Sequence, residues 1–205
     1  MRATEHPQSA CGWAAHSPRT YFVSPPTDLL RRGAAGASIL LMLAVCWIGG
    51  AEAKVVSSDA AGFSVEHQVT VPAEPDDAFS TLLDVWRWWD PAHTWSGDPA
   101  NLSIDARAGG CFCESLPEGG SAQHLLVVYA EPGSTLRMVG GLGPLQDQAV
   151  SGAMTWSVAP EGEGSVITMT YRVSGRVEGG MEAWAGLVDS MLGGQIARLA
   201  DLLDD

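Results

Sequence analysis

The sequence predicts an α+β domain in which a curved antiparallel sheet of about six or seven strands wraps around one long C-terminal helix. Apolar residues alternate with polar ones through most of residues 62–174, and they recur every three or four positions in residues 181–203. The turns between the alternating segments are too short for parallel crossovers. A sheet with one apolar face needs a cover, and only the final helix is long enough to provide it.

The first 53 residues are predicted to be an unstructured extension that ends in a secretory signal peptide. Two consecutive arginines, 31 and 32, precede an uncharged run whose apolar centre spans residues 37–48, and a small-x-small cleavage site ends at Ala53. A membrane span needs about 20 apolar residues, which is more than this centre provides. We therefore expect export to the periplasm or the exterior, with residues 54–205 as the mature domain. A retained N-terminal membrane anchor and a cytoplasmic protein with a fortuitous apolar stretch are the alternatives.

The charge balance narrows the range of partners. The chain has 205 residues with 11 Lys+Arg against 24 Asp+Glu, for a net charge of −13. Residues 54–205 alone hold 7 basic and 21 acidic side chains. Nucleic-acid binding needs clustered cations, which this composition does not supply, and acidic protein surfaces are repelled by anionic lipids. We expect no nucleic acid, no stable membrane association after cleavage, and a small apolar ligand; the oligomeric state is left open.

The predicted elements follow in chain order. Residues 62–71 form a strand that Pro72 stops, and Pro75 opens a helix that runs into the tryptophans before Pro91. Further strands are predicted at 101–107, 110–116, 123–130, 134–140, 149–158 and 164–174. The last helix carries an apolar stripe from Met181 to Leu203.

This order, together with four local motifs, resembles the START-like (SRPBCC) superfamily, which includes polyketide cyclases and homologues of the activator of the heat-shock-protein-90 ATPase. The motifs are Val-Pro-Ala-Glu-Pro-Asp-Asp-Ala-Phe at 71–79, Ala-Gly-Gly-Cys-Phe-Cys-Glu at 108–114, Leu-Arg-Met at 136–138 and Gly-Ser-Val-Ile-Thr-Met-Thr-Tyr at 164–171. The resemblance implies a helix-grip fold around a ligand cavity. It implies no universal catalytic residue, so fold alone does not determine the function.

A tryptophan-rich segment, residues 86–95, is the first candidate site. Trp89, His93 and Trp95 are predicted at the mouth of an apolar pocket, with Asp90 and His93 as an orienting or acid–base pair. The alternative is that the tryptophans cap the core where helix meets sheet and that His93 is a solvated loop residue.

The second candidate is the strand segment Cys-Phe-Cys-Glu at 111–114. Alternation places both cysteines on one face and Phe112 and Glu114 on the other, but the sequence does not determine which face is inside. In one case the two cysteines are free, small apolar side chains that line the cavity wall or the core, and Cys113 is a cavity residue. Glu114 in the other case is a desolvated acid or base, or else a glutamate at the solvated rim. A metal site would need two more ligands, a reactive thiol would need cationic neighbours, and a disulfide two residues apart sits near the limit of bridging distance.

The third candidate is a set of methionines and aromatic residues suited to a deformable apolar pocket, or equally to an ordinary core. Its members are Met138, Met154, Trp156, Met169, Tyr171, Trp184 and Met191. Gly186, Gly193 and Gly194 weaken the final helix, which indicates close approach or deliberate space there.

No nucleophile elbow, phosphate loop, dinucleotide fingerprint or His-Glu-x-x-His motif is present in the sequence, so we expect no cofactor and no metal. The predicted function is binding of a small lipid-like or aromatic ligand in the cavity between sheet and helix, by an exported START-like protein. The alternatives are a cyclase- or hydrolase-like enzyme that uses His93, Asp90 and Glu114, and a module that binds a protein partner. Whether there is turnover is left open.

Overall fold

One eight-stranded antiparallel sheet and two α-helices make up residues 52–204, the part of the chain that the computed structural model describes. The strands are β1 (Glu52–Asp59), β2 (Gly62–Val71), β3 (Leu102–Ile104), β4 (Cys111–Ser115), β5 (Ser121–Glu131), β6 (Thr135–Val139), β7 (Ala149–Glu161) and β8 (Gly164–Arg176). The helices are α1 (Pro75–Leu83) and α2 (Met181–Asp204). The sheet order is β1-β2-β8-β7-β6-β5-β4-β3, which confirms the predicted meander and the α+β helix-grip class.

The core lies between the inner face of the sheet and α2. Alternate residues of β2 and β8 point inward and are buried, as the period of two predicts. On α2 the buried apolar residues recur at intervals of three or four: Met181, Ala185, Val188, Leu192, Ile196 and Leu199. The helix packs mainly against β2 and β1, so the apolar stripe and the apolar sheet face cover each other.

Three elements differ from the prediction. Strand β1 is an additional edge strand, whose polar Ser57 and Ser58 hide the alternation that would reveal it. Helix α1 ends at Leu83 because the backbone of Asp84 leaves the helical region (ψ 50°), and a 3₁₀ turn at Val85–Arg87 replaces the predicted continuation of the helix. Strand β3 is three residues long rather than seven, because the chain turns sharply just before β4, where Gly109 has a φ of +86°.

The predicted signal peptide lies outside the described residues, except at its last two positions. Cleavage after Ala53 would remove the first two residues of β1 and leave 54–59 paired with β2. Among the helices of residues 52–204, none has the length and apolar character needed to cross a membrane.

Candidate functional site

A cavity of about 440 Å³ lies beside the first half of α2, between the helix and two loops. The 84–96 loop follows α1, and the 140–148 loop joins β6 to β7. The helix supplies Trp184, Leu187, Val188 and Met191 to the lining. The 84–96 loop supplies Trp89, Ala92, His93, Thr94 and Trp95. The 140–148 loop supplies Leu142, Gly143, Pro144 and Leu145, and β5 adds His124.

Hydrogen bonds to α2 hold the 84–96 loop. The buried Gln195 side chain accepts a hydrogen bond from the backbone N–H of Asp90 at 2.8 Å, and Arg198 Nε donates to the carbonyl of Trp88 at 2.9 Å. Within the loop, Trp89 Nε1 donates to the carbonyl of His93 at 3.0 Å. This wall of the cavity is therefore tied to the helix that forms the neighbouring wall.

Tyr171 on β8 holds the 140–148 loop. Its hydroxyl donates to the carbonyl of Gly140 at 2.8 Å and accepts from the N–H of Leu142 at 3.0 Å. Burial raises the pKa of Tyr171 to about 12, so the hydroxyl keeps its proton for the first of these bonds. Gly152 leaves room for this arrangement, because a Cβ there would lie 2.6 Å from the Tyr171 hydroxyl oxygen.

A buried carboxylate lies behind the cavity wall. Glu114 Oε1 accepts a hydrogen bond from the N–H of Ser96 at 2.6 Å, and Oε2 accepts from the N–H of Trp95 at 3.1 Å. His124 Nε2 lies 2.9 Å from the same Oε2. Burial works to raise the pKa of the Glu114 carboxyl, but the hydrogen bonds from Ser96, Trp95 and His124 outweigh it and hold that pKa below its usual value. Glu114 is therefore ionised at neutral pH.

Aromatic rings fix the orientation of His124. The Phe112 ring lies 4.9 Å from the imidazole, centroid to centroid, and Trp89 meets Phe112 edge-on at 5.2 Å. Such contacts favour one ring position. His124 is 5% exposed and belongs to the cavity lining, so it is the polar residue that connects Glu114 to the cavity.

The structure brings five of the predicted site residues to the cavity. They are Trp89, His93, Trp95, Trp184 and Met191. Glu114 is not in the lining but lies one hydrogen bond behind it, through His124. The Asp90 carboxylate instead accepts from the N–H of Ala92 and caps a short turn, so Asp90, His93 and Glu114 do not form one catalytic cluster.

Five other predicted cavity residues lie in the core instead. Met138, Met154, Trp156 and Met169 are each at most 3% exposed and outside the cavity lining, and Tyr171 acts on the loop as described above. These residues do point to the inner face, as alternation requires, but the packed core leaves no space over them. The cavity exists only at the end where loops replace packed elements.

The cysteine pair is the remaining correction. Cys111 and Cys113 form a disulfide and share the face opposite to Phe112 and Glu114, which are buried. Cys113 therefore does not line the cavity, and the interpretation of the pair as two free apolar thiols is wrong. Residues two apart on an extended strand lie roughly 6.7 Å apart. A register shift between Phe112 and Cys113 accompanies a Cα–Cα distance of 5.4 Å, within the range for bridging.

Sequence reasoning missed His124 as a cavity residue, as well as the 140–148 loop, Leu187 and Val188. The sequence did contain a signal for His124. The short turn between β4 and β5 places Glu114 opposite Ala122. His124, two residues further along β5, is then the diagonal neighbour of Glu114 on the same face of the sheet. The 140–148 loop has no sequence pattern that would predict its place at the cavity. Within residues 52–204, no group of three or more His, Cys, Asp or Glu side chains is arranged to hold a metal ion.

Comparison with known proteins agrees with this architecture. The fold is similar to the crystal structure of CalU16 from Micromonospora echinospora, at 14% identity and a TM-score of 0.51, over 76% of this chain and 86% of that one. It is also similar to Ms6760 from Mycobacterium smegmatis, at 13% identity and a TM-score of 0.53, over 74% and 97% of the two chains. A search among curated protein sequences found no match. Residues 62–204 match the sequence profile described as "Polyketide cyclase / dehydrase and lipid transport", so the chain belongs to that family.

Proposed function

We propose that the domain binds one small apolar molecule in the cavity between α2 and the two loops. The observation that carries this proposal is the lining, which consists mainly of tryptophan, leucine, valine and methionine side chains. The volume of about 440 Å³ lies within the roughly 300–1,000 Å³ that is usual for small-molecule sites. Displacing water from apolar surface gains about 25 cal/mol per Å², so an apolar ligand is favoured there.

The opening of the cavity has the same character as its lining. Leu187 is 66% exposed and Trp95 is 51% exposed, and both lie at this opening. Single exposed apolar side chains are ordinary, but apolar side chains grouped at the opening of a cavity are typical of a ligand or partner site. The flexible Met191 thioether adapts to ligands of different shape. These features favour a lipid-like or aromatic ligand over a phosphorylated one, in line with the net charge of −13.

Probe binding tests this proposal. Purified protein should release a co-purified apolar ligand in native mass spectrometry, or bind the neutral fluorescent probe N-phenyl-1-naphthylamine. Val188→Phe places an aromatic ring in the cavity, and it should weaken probe binding by roughly tenfold or more. Ser190→Phe on the exposed part of the same helix is the matched control and should bind like wild type.

Two results would contradict ligand binding in this cavity. One is equal probe affinity of wild type and Val188→Phe, when circular dichroism shows both to be folded. The other is a folded wild-type protein that neither carries a ligand nor takes up the probe.

Export of the domain is part of the same proposal. The arginine pair, the apolar centre at 37–48 and the small-x-small site support it. A disulfide between Cys111 and Cys113 also fits an oxidising compartment. In a bacterial host, the full chain should be recovered outside the cytoplasm with Lys54 as its first residue. Leu41→Arg should abolish export, whereas Leu41→Val should not, and an intact chain in the cytoplasm would contradict the proposal.

A further inference from the structure

The Cys111–Cys113 disulfide lies on the outer face of the sheet, where a reagent in solution can reach it. Both cysteines are partly exposed, and the residues that pair with Cys113 on the two neighbouring strands, Ser103 and Gln123, are exposed. Thiol–disulfide exchange begins when a thiolate attacks one sulfur of an accessible disulfide. The position of this bridge therefore allows exchange in the folded protein.

The disulfide spans the register shift between β4 and β5. From Phe112 to Cys113, one step along β4 is matched by two steps along β5, which leaves His124 without a paired residue on β4. His124 is the extra residue of this bulge, and it is buried. An extra residue in one strand bends the pair locally. The disulfide supports this bend, because it holds two Cα atoms 5.4 Å apart that an extended strand would place about 6.7 Å apart.

The inner face of the same short segment contacts the 84–96 loop twice. Phe112, between the two cysteines, meets the Trp89 ring edge-on at 5.2 Å. Glu114, the residue after the bridge, accepts hydrogen bonds from the N–H groups of Trp95 and Ser96. Trp89 and Trp95 belong to the cavity lining. The disulfide on one face of β4 is therefore connected, through two neighbouring side chains, to one wall of the cavity.

We infer that this disulfide is a thiol-exchange site that controls the cavity: a small dithiol reduces it, β4 extends, and the 84–96 loop loses part of its anchoring. In this reaction the S–S bond breaks, and each cysteine sulfur gains one electron and one proton. The dithiol gives up two electrons and two protons and closes into a cyclic disulfide. The reduced protein then binds its apolar ligand more weakly. The inference rests on the proposed function, since it concerns binding in the same cavity.

The geometry determines how large the effect of reduction should be. Release of the bridge lets the distance between the two Cα atoms grow by about 1 Å, towards the value of an extended strand. The two backbone bonds to Glu114 measure 2.6 and 3.1 Å, and N–H···O bonds rarely exceed about 3.2 Å, so such a shift is enough to break one of them. Gln195 and Arg198 still hold the loop to α2, so the site should weaken without unfolding.

Probe binding with and without dithiothreitol tests the inference on the full chain. In wild type, the affinity for N-phenyl-1-naphthylamine should fall by about 2- to 12-fold on reduction, the net effect of one hydrogen bond. The double variant Cys111→Ser/Cys113→Ser should show the lower affinity in both conditions. It retains Cys11 and Cys46, so any effect of reducing those residues appears in it as well. Gln123→Ser, on the exposed outer face next to the bridge, should respond like wild type.

Amide hydrogen exchange, followed by NMR, supplies a readout that needs no ligand. Reduction should speed exchange at the amides of Trp95 and Ser96, which donate to Glu114. The Leu142 amide, which donates to Tyr171 from the 140–148 loop, should keep its rate. This difference between the two loops separates release of one wall from a general loosening of the cavity.

Three results would overturn the inference and leave the proposed function standing. One is a disulfide that stays intact when folded wild type is treated with dithiothreitol, as iodoacetamide labelling and mass spectrometry would show. The second is unchanged probe affinity, or unchanged exchange at Trp95 and Ser96, on reduction. The third is faster exchange throughout β2 and β8 as well, which would indicate a general loss of stability.

A different result would count against the proposed function. If oxidised, folded wild type neither carries a ligand nor binds the probe, ligand binding in the cavity fails. The exchange rates at Trp95 and Ser96 then still decide whether the disulfide controls the loop.

Discussion

Two buried polar side chains determine where the two cavity loops lie. Tyr171 binds a carbonyl and an N–H of the 140–148 loop, and Glu114 binds two N–H groups of the 84–96 loop. Neither loop has strand neighbours to satisfy these backbone groups. Buried backbone groups need partners, so each side chain replaces a missing sheet pairing. The shape of the cavity depends on these few side-chain bonds.

Tyr171→Phe tests this dependence at a single atom. The change removes one hydroxyl and leaves the carbonyl of Gly140 and the N–H of Leu142 without their partner, so we expect a loss of about 1–3 kcal/mol in the free energy of unfolding. Urea denaturation measures this loss, and faster hydrogen exchange at the Leu142 amide would locate it in the loop. Tyr129→Phe is the matched control.

The control removes a hydroxyl that bonds Glu131 on the exposed outer face of the sheet. We expect that change to stay within about 0.5 kcal/mol of wild type, as surface substitutions usually do. Equal losses for the two variants would contradict a special role for Tyr171.

At this scale the sequence predicts residue types better than residue roles. The aromatic and methionine residues are predicted to face inward, and they do. Inward-facing residues belong to the core where a packed element lies over them, and to the cavity where a loop does. The position of a loop depends on bonds such as that between Tyr171 and Leu142, which join residues 29 positions apart. No local sequence pattern predicts such a long-range bond. The Glu114–His124 contact, by contrast, follows from the register of the β4–β5 hairpin.

Helix α2 covers the sheet with an apolar stripe that is interrupted by a polar contact. His67 on β2 is 1% exposed and lies beneath the helix, with Nε2 3.0 Å from Asp189 Oδ1 but without the alignment of a hydrogen bond. Gly193 allows this approach, because a Cβ there would lie 2.9 Å from the imidazole. Of the three helix glycines, Gly193 is thus a site of close approach, while Gly186 and Gly194 face open space.

Docking of α2 over His67 should make stability depend on pH. Burial lowers the pKa of His67, and the nearby Asp189 only partly opposes this. An unfolded histidine titrates near pH 6.5. Below that value the unfolded chain binds a proton that the folded protein excludes, so this contribution to stability is complete above about pH 6.5 and falls as the pH drops towards the folded pKa.

His67→Gln should flatten the decrease in unfolding free energy between pH 7 and pH 5, as measured by urea denaturation at several pH values. His93→Gln, which changes an exposed histidine at the cavity opening, should keep the wild-type slope. A wild-type protein whose stability rises as the pH falls through this range would show that the attraction to Asp189 outweighs burial.

Strands and helices with a regular pattern of apolar and polar residues were predictable from the sequence. Elements whose bounds depend on tertiary contacts were not. Strands β2 and β4–β8 lie where alternation and Gly or Pro turns predict them, and α2 begins at Met181 as expected. The sequence did not predict β1, because an edge strand that contains serines lacks the alternation of apolar residues that marks a strand. α1 was predicted to run into Trp88 because the apolar spacing continues there, but the chain turns at Asp84 to bring the tryptophans over the sheet end.

For the molecule as a whole, the helix-grip fold places α2 and the two loops around the cavity. The structural relatives described above share the architecture at 13–14% identity, a level at which side chains in the cavity are free to differ. In this chain the cavity lining is mainly apolar, and the His124 imidazole is part of it. The family profile matches residues 62–204, so β1 lies outside the range that it matches.

The contribution of β1 gives a prediction for the whole domain. β1 pairs with β2 along its length, and its Val55 packs against the core. A chain that begins at Gly62 loses this strand, so we expect its unfolding free energy to fall by roughly 1–3 kcal/mol. The exposed edge of β2 should also promote association between chains.

Chains beginning at Glu52 and at Lys54 should differ by less than about 0.5 kcal/mol, because the cut after Ala53 removes only two residues at the end of an edge strand. Chemical denaturation and analytical ultracentrifugation of the three chains measure both effects. Equal stability of all three would mean that β1 is dispensable. A large loss on starting at Lys54 would count against the cleavage site, because processing there would damage the sheet on which the cavity is built.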